Sequence, residues 1–289
     1  MSKSSRLKQL DRMPMVPRQP EHAFTLIELL VVLAIVTLLA MTLLPALAKA
    51  KYPSLVSNCA ANFRQWVEMA TVYASDETQG RMPSFKTTFS GGNATDVATN
   101  FLSNLVPYGM TVAMNFCPVR PGDLDTANAW FHTYGVPSHR YIQSVGDVNQ
   151  WFTSTQPGGR SVNGGYAKLL HDWWVPRQNS WVGNLSFPVP NSGISTAPVN
   201  AAPWPSKLSD PSVSLQPIIS DLAEASLGIT DPSDIPYIES QTVYGPTTEA
   251  HFYNGSLSSI NLGFADGRVE THIQSAIQWQ YSCQASYFY

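Results

Sequence analysis

The pattern of apolar and polar positions changes character twice along this chain. From Phe24 to Leu44 every residue is apolar except Thr25, Glu28, Thr37 and Thr42. A helix over that stretch is about 31 Å long, close to the thickness of a bilayer's hydrocarbon core. From Leu55 to Ala74 the apolar residues thin to a stripe: Leu55, Val56, Cys59, Ala60, Phe63, Trp66, Val67, Ala70, Tyr73 and Ala74 recur every three or four places. That spacing predicts an amphipathic helix with one buried face, stopped by Gly80 and Pro83. Between the two runs, Pro45 and Tyr52-Pro53 predict that the helix pauses and restarts.

Beyond Pro83 the pattern is of short strands separated by Gly, Pro, Asn and Ser, long enough to bury a sizeable core in one head. Its clearest β unit is 259–264, an Ala265-Asp266-Gly267 turn, and 268–273, where alternating side chains flank an Asp-Gly hairpin signal. Ile218-Ile219-Ser220-Asp221 reads as a buried strand end. Residues 184–217 carry seven prolines and few charges, which predicts extended, irregular chain.

Charge adds orientation. Lys3, Arg6, Lys8, Arg12 and Arg18 precede the apolar run with only Asp11 and Glu21 against them. Of the 17 basic and 20 acidic residues in the whole chain, 12 and 18 remain beyond that leader. The basic side stays in the cytoplasm and the rest crosses. Glu28 is the exception inside the run. A carboxylate at that depth costs several kcal/mol unless it is partnered, so it reads as functional.

These residues carry a resemblance. A short basic leader, a small residue and Phe24-Thr25-Leu26-Ile27-Glu28 followed by apolar chain resemble the type IV pilins and type II secretion pseudopilins. Pro45 falls where their helices usually have a proline. Ala23 departs from the usual glycine before the cut. The resemblance implies cleavage between Ala23 and Phe24 by a prepilin peptidase, and N-methylation of Phe24. It also implies a pairing of Glu28 with the Phe24 ammonium of a neighbouring subunit. The implied fold is α+β and pilin-like. A long N-terminal transmembrane-plus-soluble helix packs on an antiparallel β-sheet head with long irregular loops. The expected divisions are a cytoplasmic leader 1–23 removed on maturation, the helix 24–83 with 24–44 in the membrane, and a β-rich head 84–289 with a loop-rich insertion around 184–217.

Three further segments look like a pseudopilin subgroup with large heads: 44–51, 59–65 and 73–83. His251 and the Phe264-Ala265-Asp266-Gly267 run look like its C-terminal His…Asp-Gly signature, at longer spacing than usual. Cys59 and Cys117 resemble its recurrent pair, which implies a disulfide in an oxidising compartment and leaves Cys283 over. Taken alone, Asp266 is a turn former and His251 closes a loop.

Other chemistry finds little support. The chain has no Gly-x-Ser-x-Gly elbow, no His-Glu-x-x-His and no phosphate-binding glycine loop. No catalytic residue and no cofactor are expected. The six histidines are scattered, so no metal site is expected, apart from weak calcium candidates at Asp123 and Asp125 in an oxygen-rich loop. A pI near 6.0 without a basic patch in the head argues against nucleic acid. The expectation is a single-pass inner-membrane pseudopilin, head in the periplasm or outside, for a type II secretion or type IV pilus-like fibre. Its partners would be the peptidase, copies of itself, related subunits and an inner-membrane assembly platform. The alternative is an exported enzyme or glycan-binding protein, anchored or released by an ordinary signal peptide cut at Ala46-Leu47-Ala48 or Ala48-Lys49-Ala50.

Overall fold

The structure, a computed structural model, describes residues 25–88, 92–161, 164–178, 186–187, 196–198, 203–235, 250–283 and 285–289. Much of the 184–217 insertion and all of the 1–23 leader lie outside them. The chain divides into two compact units, Met1–Ala50 and Lys51–Tyr289.

One helix, α1, runs Leu26–Asp76. The expected pause does not occur: helical hydrogen bonding continues on both sides of Pro45 and Pro53. Each proline removes one donor, and the flanking turns are long enough to carry the helix past it. In the first unit, all residues from Leu26 to Leu44 are exposed, and this stretch is long and apolar enough to cross a membrane. In the second unit the predicted stripe is the buried face. Cys59, Phe63, Trp66, Val67, Ala70 and Ala74 are all buried, whereas Arg64, Gln65 and Glu68 are exposed.

The second unit is α+β with antiparallel sheets; the smaller ones pair β1 (Asp96–Val97) with β2 (Ala167–Lys168), β4 (Arg177–Gln178) with β5 (Ser186–Phe187), and β12 (Ala285–Phe288) with both β7 (Glu224–Ser226) and β11 (Trp279–Ser282). Its largest sheet has five strands: β3 (His171–Trp173), β6 (Pro217–Asp221), β8 (His251–Tyr253), β9 (Ser256–Phe264) and β10 (Val269–Ile273). β9 is the spine. One edge carries β10, from Val269 opposite Gly263 to Ile273 opposite Ser259. The other edge carries two strands end to end: β6, with Ser220 opposite Leu262, and then β8, with His251 opposite Ser259. The β9–β10 hairpin is the one expected, with Gly267 at φ +94° in its turn.

Alternation along β9 assigns its two faces. Ile260, Leu262 and Phe264 enter a core with Trp174, Trp204, Tyr281, Tyr287 and Phe288. On the opposite face, Gly263 lets α1 come close: a Cβ there would sit 2.7 Å from Val67 Cγ2 and 2.8 Å from Ile219 Cγ2. The core on that side gathers the α1 stripe with Phe101, Phe131, Trp151 and Trp173. Trp66 donates its indole N–H to the Met114 carbonyl at 2.7 Å, which satisfies its polar atom inside this core.

Where the sequence predicted only short strands, three helices form among the described residues, α2 (Phe101–Leu105), α3 (Pro121–Tyr134) and α4 (Val145–Thr153). α4 begins in a capping box: the Asp147 amide donates to Ser144 Oγ, and the Asp147 carboxylate accepts from the Ser144 amide. Arg140 grips the same carboxylate with two bonds of 2.7 and 2.8 Å. Led by that guanidinium, these donors bring the Asp147 carboxyl down to about 2.

Candidate functional site

The N-terminal candidates begin at the edge of the described chain. Ala23 and Phe24, the two sides of the expected cut, lie outside it. Glu28 lies inside, in the first turn of α1. Its Oε2 accepts from the Thr25 backbone N–H at 2.9 Å and from Thr25 Oγ1 at 2.7 Å. The Glu28 amide in turn donates to Thr25 Oγ1 at 3.3 Å. This reciprocal pair is a capping box, which satisfies helix-end donors and places a negative charge where the helix dipole favours it. The sequence carried this signal as Thr25-x-x-Glu28 ahead of an apolar run. Within the chain, Thr25 holds the Glu28 carboxylate.

The head brings together residues that the sequence kept apart. Cys59 on α1, Cys117 in the turn after a 3-10 segment (Ala113–Asn115), Asp221 at the end of β6 and His251 at the start of β8 form one buried cluster. One potential ligand atom from each lies within 4.8 Å of all the others. All four side chains are sealed from solvent, at 3% exposure or less. The topology explains the meeting of Asp221 and His251. β6 leaves the edge of β9 just where β8 joins it, so their end residues become neighbours.

Each group in the cluster has a defined orientation. The Asn261 amide donates to Asp221 Oδ2 at 2.7 Å, and Cys59 Sγ donates to Asp221 Oδ1 at 3.6 Å. His251 Nδ1 meets Ser259 Oγ at 3.2 Å, which turns Nε2 into the cluster. Nε2 lies 3.2 Å from Asp221 Oδ2 but has no partner in hydrogen-bond alignment among the described residues. Burial pulls the His251 ring toward neutrality, but the Asp221 carboxylate and the Cys117 thiol overcome it and raise the ring to about 8. Burial likewise resists charge on Cys117, yet the Cys59 thiol and the His251 ring bring it down to about 7. Cys59 is pushed well up, first by the neighbouring Cys117 sulfur and then by burial.

The expected Cys59–Cys117 pair is therefore adjacent, but the two are free thiols, as is the half-buried Cys283. The residues of the His251…Asp266-Gly267 signature lie apart along β9. His251 sits opposite Ser259, and about five residues of strand, roughly 17 Å, separate that position from Phe264, where the Asp266 turn begins. Asp266 is a turn former: its Oδ1 accepts from the Arg268 amide at 3.0 Å. The carboxylate that His251 meets is Asp221, visible in the sequence only as the end of a buried strand.

The calcium candidates fall on a helix, in place of the expected loop. Asp123 is buried in the first turn of α3, where it accepts from Arg120 Nε at 3.2 Å, and Asp125 is exposed. Pro121 at the helix start and the spacing of Leu124, Ala127, Trp130 and Phe131 were the signals for that helix.

Against known proteins, residues 18–44 match the family model described as the prokaryotic N-terminal methylation motif. No curated protein and no solved structure matches the chain. The match covers the basic-to-apolar boundary, the expected cut and the whole membrane-length run. The N-terminus thus carries a prokaryotic N-terminal methylation motif, which supports its resemblance to type IV pilin-like precursors.

Proposed function

We propose that this chain is a structural subunit, a pseudopilin of a type II secretion or type IV pilus-like fibre. The observation that carries the reading is one coincidence: the methylation motif at 18–44 overlies a membrane-length run whose side chains are exposed on every face. Such a helix is stable in lipid, and equally among like helices that replace the lipid contacts. The peptidase cuts between Ala23 and Phe24, and Phe24 is N-methylated. The basic leader keeps the N-terminus cytoplasmic, so the chain is a single-pass inner-membrane protein whose head emerges on the far side.

Glu28 then sets register. Thr25 holds its carboxylate in the isolated subunit, and in the fibre the carboxylate faces the Phe24 ammonium of the next copy. At low local dielectric, a subunit in the wrong register leaves one of these charges unpaired, at a cost of several kcal/mol. The test is Glu28→Ala in the native assembly system. The expected result is loss of the subunit from sheared or crosslinked fibres while the head melts at its usual temperature. Normal incorporation of the variant would reject the reading.

A further inference from the structure

We propose that Cys59, Cys117, Asp221 and His251 form a structural zinc site that ties α1 to the head. The donor set is the first argument. Two thiolates, an imidazole nitrogen and a carboxylate are the ligands that tetrahedral zinc takes, and thiolates exclude calcium and magnesium. Geometry is the second. Bonds of about 2.0–2.3 Å in a tetrahedron put neighbouring ligand atoms roughly 3.3–3.8 Å apart. The Asp221 carboxylate lies 3.6 Å from Cys59 Sγ through Oδ1 and 3.2 Å from His251 Nε2 through Oδ2, and one ligand atom from each of the four residues falls within 4.8 Å of all the others.

The third argument is orientation. His251 Nε2 is a buried ring nitrogen aimed into the cluster without an aligned hydrogen-bond partner among the described residues. Its opposite nitrogen is held by Ser259, and the Asp221 carboxylate is held by the Asn261 amide. Outer partners of this kind fix ring and carboxylate orientation at metal sites. A disulfide would use the two sulfurs and leave the buried carboxylate and imidazole to each other. Zinc uses all four groups, and its double positive charge offsets most of the negative charge that the two thiolates and the carboxylate bring.

Binding displaces the remaining thiol protons and requires His251 Nε2 as a lone pair, so metal uptake releases protons. With all four ligands buried, no coordination position faces solvent, which marks a closed structural site and no catalytic one. The site would join four segments distant in sequence: α1, the Phe116-Cys117-Pro118 turn, β6 and β8.

The test uses the full chain purified without chelator, read by elemental analysis, intact mass and cobalt substitution. The expected result is about one zinc per chain. Cobalt-grown protein should show thiolate-to-cobalt charge transfer and intense tetrahedral bands, a readout that needs no variant. Cys117→Ser should lose metal, Cys283→Ser should keep it, and Ser259→Ala should bind about 10–100-fold more weakly. Zinc-free protein two hydrogens lighter than the reduced chain, or zinc-free protein with three free thiols, would overturn the proposal.

Discussion

The two halves of α1 share one backbone and differ in everything else. From Leu26 to Leu44 the side chains are apolar on all sides and all exposed. From Cys59 to Ala74 they are apolar on one stripe, and the core of that stripe is buried against the sheet. The second half solves its burial within its own chain. The first half has no solution in water, so it needs lipid or other helices. A helix can thus be continuous in hydrogen bonding while its two parts obey different solvents.

This comparison is tested in the first half at Glu28. Replacement by Ala should lower fibre incorporation by about 100-fold, the factor that corresponds to roughly 3 kcal/mol for an unmatched charge in the membrane segment. Quantitative blotting of sheared fibres measures it. The matching change in the second half is Trp66→Ala, which empties the centre of the buried stripe and takes one partner from the Met114 carbonyl, leaving it to His171 Nε2 at 3.2 Å. It should cost about 3–5 kcal/mol of head stability in a denaturant titration. Gly263→Ala probes the same interface from the sheet side. With Val67 and Ile219 in the way, overpacking should cost roughly 1–3 kcal/mol.

Acid should loosen the head through Asp147. Its folded pKa of about 2 lies below that of an unfolded aspartate, so its stabilisation is present above pH ~4 and is lost as pH falls toward 2. With Arg140 partly exposed, that loss is roughly 1–2 kcal/mol. It should vanish from the pH dependence of unfolding in Asp147→Asn. The smallest effect belongs to Leu33→Ala in the exposed run. Head stability should stay within about 0.5 kcal/mol of the parent, in contrast with Trp66→Ala.

Features written in periodicity were legible in the sequence. The membrane-length run, the stripe from Cys59 to Ala74 and the hairpin around Gly267 follow from local spacing and turn chemistry. Misreadings came where composition stood in for periodicity. Asp123, Asp125 and Asn128 suggested an oxygen-rich loop, but Leu124, Ala127 and Phe131 at helical spacing decide the matter by burying one face of α3. Pro45 and Pro53 suggested a break, but a missing donor does not end a long helix.

The head cluster was half legible. Cys59 and Cys117 were paired, and Asp221 was seen as a strand end. Their meeting with His251 depends on β6 and β8 sharing one edge of β9, which no local pattern encodes. The His251…Asp266-Gly267 signature gives no sign of that meeting, because Asp266 lies in the turn after β9 and the carboxylate beside His251 is Asp221.

The most direct test of the central claim is the intact N-terminus of protein purified from its own membranes, read by mass spectrometry. A chain that begins at Phe24 and is one methyl group heavier is the predicted result, with the whole exposed run retained. A chain that begins near Lys49 or Lys51 would contradict it, because the first half of α1 would then be a discarded signal peptide.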